Sequence, residues 1–174
     1  MASSKVWFIT GTSSGFGRSM TEYALSQGDI VVATLRKPEV LSDLTARYSA
    51  DKLLVLKVDV TKQEDIGEAF ARTRSAFGRL DVVFNNAGCG VFAEIESTPD
   101  DEARELFETN FWGAANVSRA AVKFFREVNQ PGKKGILLQV SSATGFHTSP
   151  MCGYYSASKH GGNLDARKVE SADG

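Results

Sequence analysis

Tyr155 and Lys159 stand four apart in "YSASKH", so on a helix they share one face, with the ammonium in reach of the phenol. A positive charge held beside a phenol favours its ionised form and turns a poor base at neutral pH into a usable acid/base. Tyr154 projects about 100° away on the same helix and lies off the lysine's face, which selects Tyr155. A Tyr-x-x-x-Lys pair also recurs by chance in many helices, so its meaning depends on what the rest of the chain places around it.

A second cluster suggests what that partner group is. "ITGTSSGFGRS" directly follows an apolar run and opens a helical stretch, the context in which a glycine loop acquires meaning. Gly11 permits a tight turn, Gly15 lets a pyrophosphate approach the backbone, and Gly17 allows close helix packing, while free N–H groups at the helix start favour an anion. The spacing Gly-x-x-x-Gly-x-Gly differs from Gly-x-Gly-x-x-Gly, and the Lys-Ser/Thr ending of a nucleotide triphosphatase loop is missing. An ordinary strand-to-helix turn is the plain alternative. At the end of the next apolar run, "VVATLRKPE" has Leu35 where an acid would bind the ribose hydroxyls of NAD, and Arg36 follows. An arginine there accommodates a 2′-phosphate, so the stretch favours NADP(H) over NAD(H); a solvated basic turn is the plain alternative.

The elements that must position these residues alternate along the chain. Short apolar runs at 5–10, 29–35, 53–59, 80–86 and 135–142 are separated by helical stretches near 16–27, 39–48, 62–77, 100–129 and 154–168. That alternation predicts a parallel sheet covered by helices on both faces. Thr61 before Glu64 reads as a capping box opening the third helix, and Gly113 marks a bend or break in the long fourth stretch. The 174 residues, 42% apolar with a formal net charge of −1, fit one globular domain spanning 1–174 and give no reason to expect a nucleic acid or an anionic membrane as partner. No stretch is a membrane span or a signal peptide. Cys89 and Cys152 have no metal-type spacing and read as structural thiols of a reducing compartment, which points to the cytoplasm. His147 and His160 have no partner at a recognisable spacing; His147 reads as a surface imidazole or a substrate contact.

Taken together, "TGTSSGFG" at 10–17, "NNAG" at 85–88, Asn110 in "ETNFWGA", "VSSATG" at 140–145 and "YSASK" at 155–159 resemble the short-chain dehydrogenases/reductases. The resemblance implies a Rossmann-type α/β fold of three layers, α/β/α, with strand order 3-2-1-4-5, and hydride transfer between NAD(P)(H) and a small-molecule carbonyl or alcohol. It implies Tyr155 as the acid/base, Lys159 as ligand of the nicotinamide ribose, Ser142 as holder of the substrate oxygen, and Asn110 as the residue that distorts its helix and holds a water of the proton relay. It implies cofactor contacts from Gly11, Ser13, Ser14, Gly15, Phe16, Gly17, Arg36, Asp59, Val60, Asn86, Ala87, Gly88, Tyr155 and Lys159, with Asp59 at the adenine and no metal. For Ser142 and Asn110 taken singly, a strand-end serine and a mid-helix polar residue are the plain readings.

After Lys159 the wording departs from the family. "GGNLDARKVESADG" pairs two glycines where a helix should continue, each costing about 1 kcal/mol relative to alanine. The expectation is a C-terminally truncated member, atypical from about residue 161 and lacking the last two family strands. Its fifth strand is then an exposed edge open to self-association, and its turnover is weak or nil beside retained nucleotide binding.

Overall fold

The computed structural model describes residues 4–162. The continuation of the last helix to 168 and most of the atypical tail lie outside the described residues. Five strands form one parallel sheet, as the alternation of elements predicts, in the order β3-β2-β1-β4-β5 that the family resemblance implies. They are β1 Val6–Thr10, β2 Ile30–Leu35, β3 Leu53–Lys57, β4 Val82–Asn85 and β5 Ile136–Gln139. Each is shorter than its apolar run; β1 and β2 lose only the first residue, while the last residues of the runs of β3, β4 and β5 leave the ladder for the loops that follow.

Neighbouring side chains on a strand point to opposite faces, and both faces here are covered. On one face Phe8, Val32 and Val83 meet α3 (Gln63–Phe77) and α5 (Ala114–Glu127) through Ile66, Phe70, Val117 and Phe125. On the other, Ile9, Val31 and Ala33 meet Ala24 and Leu25 of α1 (Gly15–Ser26) and Leu44 of α2 (Ser42–Thr45). Burial on both sides is why β1 and β2 read as near-continuous apolar runs instead of alternating. The Phe8 and Phe70 rings stack with centroids 4.4 Å apart, tying the sheet to α3. Asn129, just past α5, grips the backbone of Leu80, accepting from its N–H at 3.0 Å and donating to its carbonyl at 2.7 Å. That pair fixes where β4 begins.

The stretch 100–129 is two helices: α4 Asp100–Phe107 and α5, joined by a π-helical turn Glu108–Gly113. Gly113 sits at the junction because a Cβ there would meet Val60 Cγ2 at 2.9 Å and Val60 O at 3.1 Å. The last helix is α6, Gly153–Gly161, which packs on α4 and on the π turn. The capping box at Thr61 does not form: Lys62 holds the cap position of α3, and Thr61 Oγ1 donates to Asp59 Oδ1 at 2.8 Å. Asp59 also accepts from the Thr61 N–H at 3.1 Å, so a closed local turn captures the hydroxyl that a cap would need.

Two substitutions in α3 test this packing in opposite directions. Phe70→Ala empties a core position and should cost about 3–5 kcal/mol in denaturant unfolding. Gly67→Ala lies where an added Cβ meets nothing within 4 Å, and should add about 0.5–1 kcal/mol by removing the glycine's helix penalty.

Candidate active site

The turn from β1 into α1 is closed by a backbone contact that only glycine permits. Gly11 has φ +69°, in the left-handed region, and a Cβ on Gly17 would lie 2.2 Å from Gly11 O. Against this turn lies the loop after β4. Asn86 Nδ2 donates to Thr10 O at 2.9 Å and to Gly11 O at 3.4 Å, while Thr10 Oγ1 accepts from the N–H groups of Asn86 and Ala87, both at 2.9 Å. Two loops far apart in sequence thereby become one wall. Sequence reasoning passed over Thr10, since a threonine ending a strand carries no motif of its own.

A cleft of about 330 Å³ opens above this wall. Ser13, Ser14, Gly15 and Phe16 line one side, Arg36, Asp59 and Val60 another, and Asn86, Ala87 and Gly88 a third. Gly17 and Gly11 shape the turn beneath. Ser14 makes no side-chain cap bond, and the first turn of α1 holds no acidic residue, so amide donors at the helix start are left for an anion. A Cβ on Gly15 would meet nothing within 4 Å, which leaves the backbone approachable. These features fit the pyrophosphate of a dinucleotide. Arg36 is exposed at the end of β2, while Leu35 before it is buried in the core. Burial opposes the charge on Asp59, but hydrogen bonds from Thr61 and the nearby Arg36 and Lys62 outweigh it and hold the carboxyl below its usual range.

At the opposite end α6 brings the chemistry-bearing residues together. Lys159 is only 8% exposed; its Nζ donates to Val140 O at 3.4 Å and lies 6.0 Å from the centre of the Tyr155 ring. A Cβ on Gly88 would stand 3.3 Å from that Nζ, so the bare backbone of Gly88 borders the lysine. Burial pushes the Lys159 ammonium below the usual lysine value, against the opposing pull of Cys89. Tyr154 departs to a separate groove with Trp112 and Phe107, as its position on the helix predicts.

Asn110 lies in the π turn and is 2% exposed. Its Oδ1 accepts from the Cys89 N–H at 2.9 Å, and its Nδ2 donates to Cys89 O at 2.8 Å and Ser158 Oγ at 3.1 Å. The side chain thus ties the loop after β4 to α6, and Ser158 was not legible as its partner from spacing alone. Ser142 ends the loop after β5, where its Oγ accepts from Thr144 N at 3.3 Å and Thr144 Oγ1 at 3.0 Å; this turn packs against α6. Cys152 is buried as expected of a structural thiol, but Cys89 is exposed and lines the cleft. The reading of Cys89 as structural is corrected by its place on the loop that Asn110 pins open. Among the described residues no group of His, Cys, Asp and Glu is arranged to hold a metal ion.

The sequence profile of the short chain dehydrogenases matches residues 5–170, which takes in every element of this site and reaches beyond residue 161. The chain belongs to the short-chain dehydrogenase family. An uncharacterised oxidoreductase of Schizosaccharomyces pombe is 40% identical over 151 residues, covering 87% of this chain and 49% of that protein. A short-chain dehydrogenase of Streptomyces avermitilis superposes with a TM-score of 0.84 at 38% identity, over 92% of this chain and 57% of that one. A 3-ketoacyl-(acyl-carrier-protein) reductase of Brucella melitensis, solved with NADH, gives 0.82 at 28% identity over 90% and 64%. The chain spans about half the length of the curated relatives it matches.

Lys159 gives this site a pH signature in stability. Its folded value is depressed, so the cost of burying the charge is fully present below that value and is relieved as pH rises toward the unfolded one. Lys159→Met should therefore raise the unfolding midpoint at pH 7, and the gap to the parent chain should narrow by pH 10. A lower midpoint at pH 7 would show the ammonium to be stabilising where it sits.

Proposed function

We propose that the chain carries the cofactor site and reacting groups of an NADP(H)-dependent oxidoreductase that interconverts a carbonyl compound and a secondary alcohol. What chiefly supports this is the convergence on α6: Tyr155 and Lys159 sit beside the Asn110 bridge and the Ser142 turn, and Lys159 borders Gly88, which lines the same cleft as the glycine loop. The nicotinamide, when bound, supplies or accepts the hydride. Tyr155 gives its phenolic proton to the carbonyl oxygen during reduction and takes it back during oxidation. Lys159 holds positive charge beside the phenol and reaches the nicotinamide ribose. Ser142 donates its hydroxyl hydrogen to the substrate oxygen, a bond that strengthens as negative charge develops there. Its Oγ accepts from Thr144, which leaves that hydrogen free for the task. Asn110 spends its side chain on Cys89 and Ser158, so a relay water at this point belongs to the carbonyls loosened by the π turn.

Arg36 supports the preference for NADP(H). It is exposed, it lines the cleft, and no carboxylate stands in place of Leu35 before it. Asp59 points instead into its own turn with Thr61, in place to meet the adenine. Unpaired cysteines suited to a reducing compartment support a place in the cytoplasm, acting on a small molecule.

A second reading is favoured by β5. Among the described residues it is an edge of the sheet, and Leu138 on it is 39% exposed. A chain with that edge uncovered binds nucleotide, self-associates through β5, and holds α6 too loosely for rapid turnover.

Dissociation constants and rates decide between these. NADPH should bind at least about tenfold more tightly than NADH, as a charge-assisted bond to a 2′-phosphate provides, and Arg36→Ala should remove most of the difference; equal constants in the parent chain would refute the preference. In NADPH oxidation with a panel of ketones, Tyr155→Phe should abolish turnover with cofactor binding retained, and Tyr154→Phe should change little. Turnover below about 1 s⁻¹ in the parent chain, with self-association by light scattering, would favour the second reading.

A further inference from the structure

The start of α6, which bears Tyr155, is flanked by large apolar side chains that the fold leaves in solvent. Phe92 is 67% exposed, and its ring lies 5.7 Å from that of Tyr155. Ile95, three residues on, is 61% exposed and covers the start of α6 so closely that a Cβ on Gly153 would meet its Cγ1 at 2.7 Å. A single parallel bridge, Ala93 to Cys152, draws this loop to the one entering α6. That brings in Met151, 56% exposed with φ +61°, a conformation that disfavours any side chain. Phe146, 79% exposed, follows the Ser142 turn that packs on the same helix. Core packing of the described residues accounts for none of them, and exposed apolar groups clustered about the start of the helix that bears a polar reacting group mark a ligand surface.

The charges of these loops select among ligands. Residues 89–98 carry Glu94 and Glu96 and no lysine or arginine, and residues 141–152 carry no lysine, arginine, aspartate or glutamate. The cation at hand, Lys159, is buried and bonded to Val140 O. A carboxylate or phosphate on the substrate would find two like charges on the first loop and no lysine or arginine on either, with His147 the one imidazole there.

We propose that the site takes an uncharged carbonyl or alcohol bearing a bulky apolar substituent, and that Phe92 is the specificity-determining residue that receives the substituent beside the Tyr155 ring. This rests on Tyr155 as the reacting group of the proposed oxidoreductase. Phe92 is absent from the lining of the nucleotide cleft, so its truncation leaves that lining intact.

Titration calorimetry of the full chain with saturating NADP⁺ tests it without requiring turnover. The probes are 4-phenylbutan-2-one, uncharged and apolar, and 4-oxopentanoate, small and anionic. The phenyl ketone should bind at least about tenfold more tightly, as burial of a ring predicts. Phe92→Ala should weaken it about five- to tenfold, Phe92→Leu much less, and neither should alter NADP⁺ affinity. Equal binding of the probes, failure of the phenyl ketone to bind, or no effect of Phe92→Ala would each overturn the inference. If the phenyl ketone binds as described yet yields no alcohol with NADPH, the acid/base role of Tyr155 in this chain fails while the apolar site stands.

Discussion

Everything at the nucleotide end depends on the absence of a side chain at Gly17. With only 2.2 Å between its Cβ position and Gly11 O, α1 rises directly against the end of β1 and presents its first amides to the cleft. The same closeness leaves Gly11 O within reach of Asn86 Nδ2, so the turn and the loop after β4 settle as a unit. Thr10 completes the unit by accepting from two successive amides of that loop. Neither loop is apolar, and hydrogen bonds at the top of a buried sheet, where few waters compete, are what hold them in register.

The reacting end is joined to this frame through Asn110. Its amide reads the backbone of Cys89 on both sides and reaches Ser158 on α6, one residue from Lys159. Glycine at 88 leaves room for the lysine's head. A strand end, a π turn and a short helix are thereby held in one geometry by two polar side chains and the lack of a third. The price of this arrangement is a buried ammonium with one long backbone acceptor among the described residues, a cost that structure alone has no reason to bear.

The parallel sheet was legible from the apolar runs and intervening helical stretches, while its strand order was legible through the family resemblance carried by the motifs. The break near Gly113 was legible from the glycine, and the resemblance put a helix distortion at Asn110, which lies in the π turn; the close approach of Val60 that Gly113 permits was not legible. The capping box failed because Asp59, two residues earlier, competes for the Thr61 hydroxyl, and a local motif does not reveal its competitor. Tyr155 over Tyr154 follows from helical angle alone, and the two side chains do leave in different directions. Thr10, Ser158 and Phe92 were illegible for a shared reason. Each acts through a contact between elements far apart in sequence, and none belongs to a periodic pattern.

The account's central claim is that the closed turn at Gly17 builds the nucleotide site. Its most direct test is a fluorescence titration of NADPH against Gly17→Ala, with circular dichroism to follow the fold. The account predicts that the helical signal persists, because the sheet and the α3 and α5 layer are untouched, while NADPH binding falls by about a hundredfold or more as α1 is driven off Gly11. Unchanged NADPH affinity in a folded Gly17→Ala protein would contradict it.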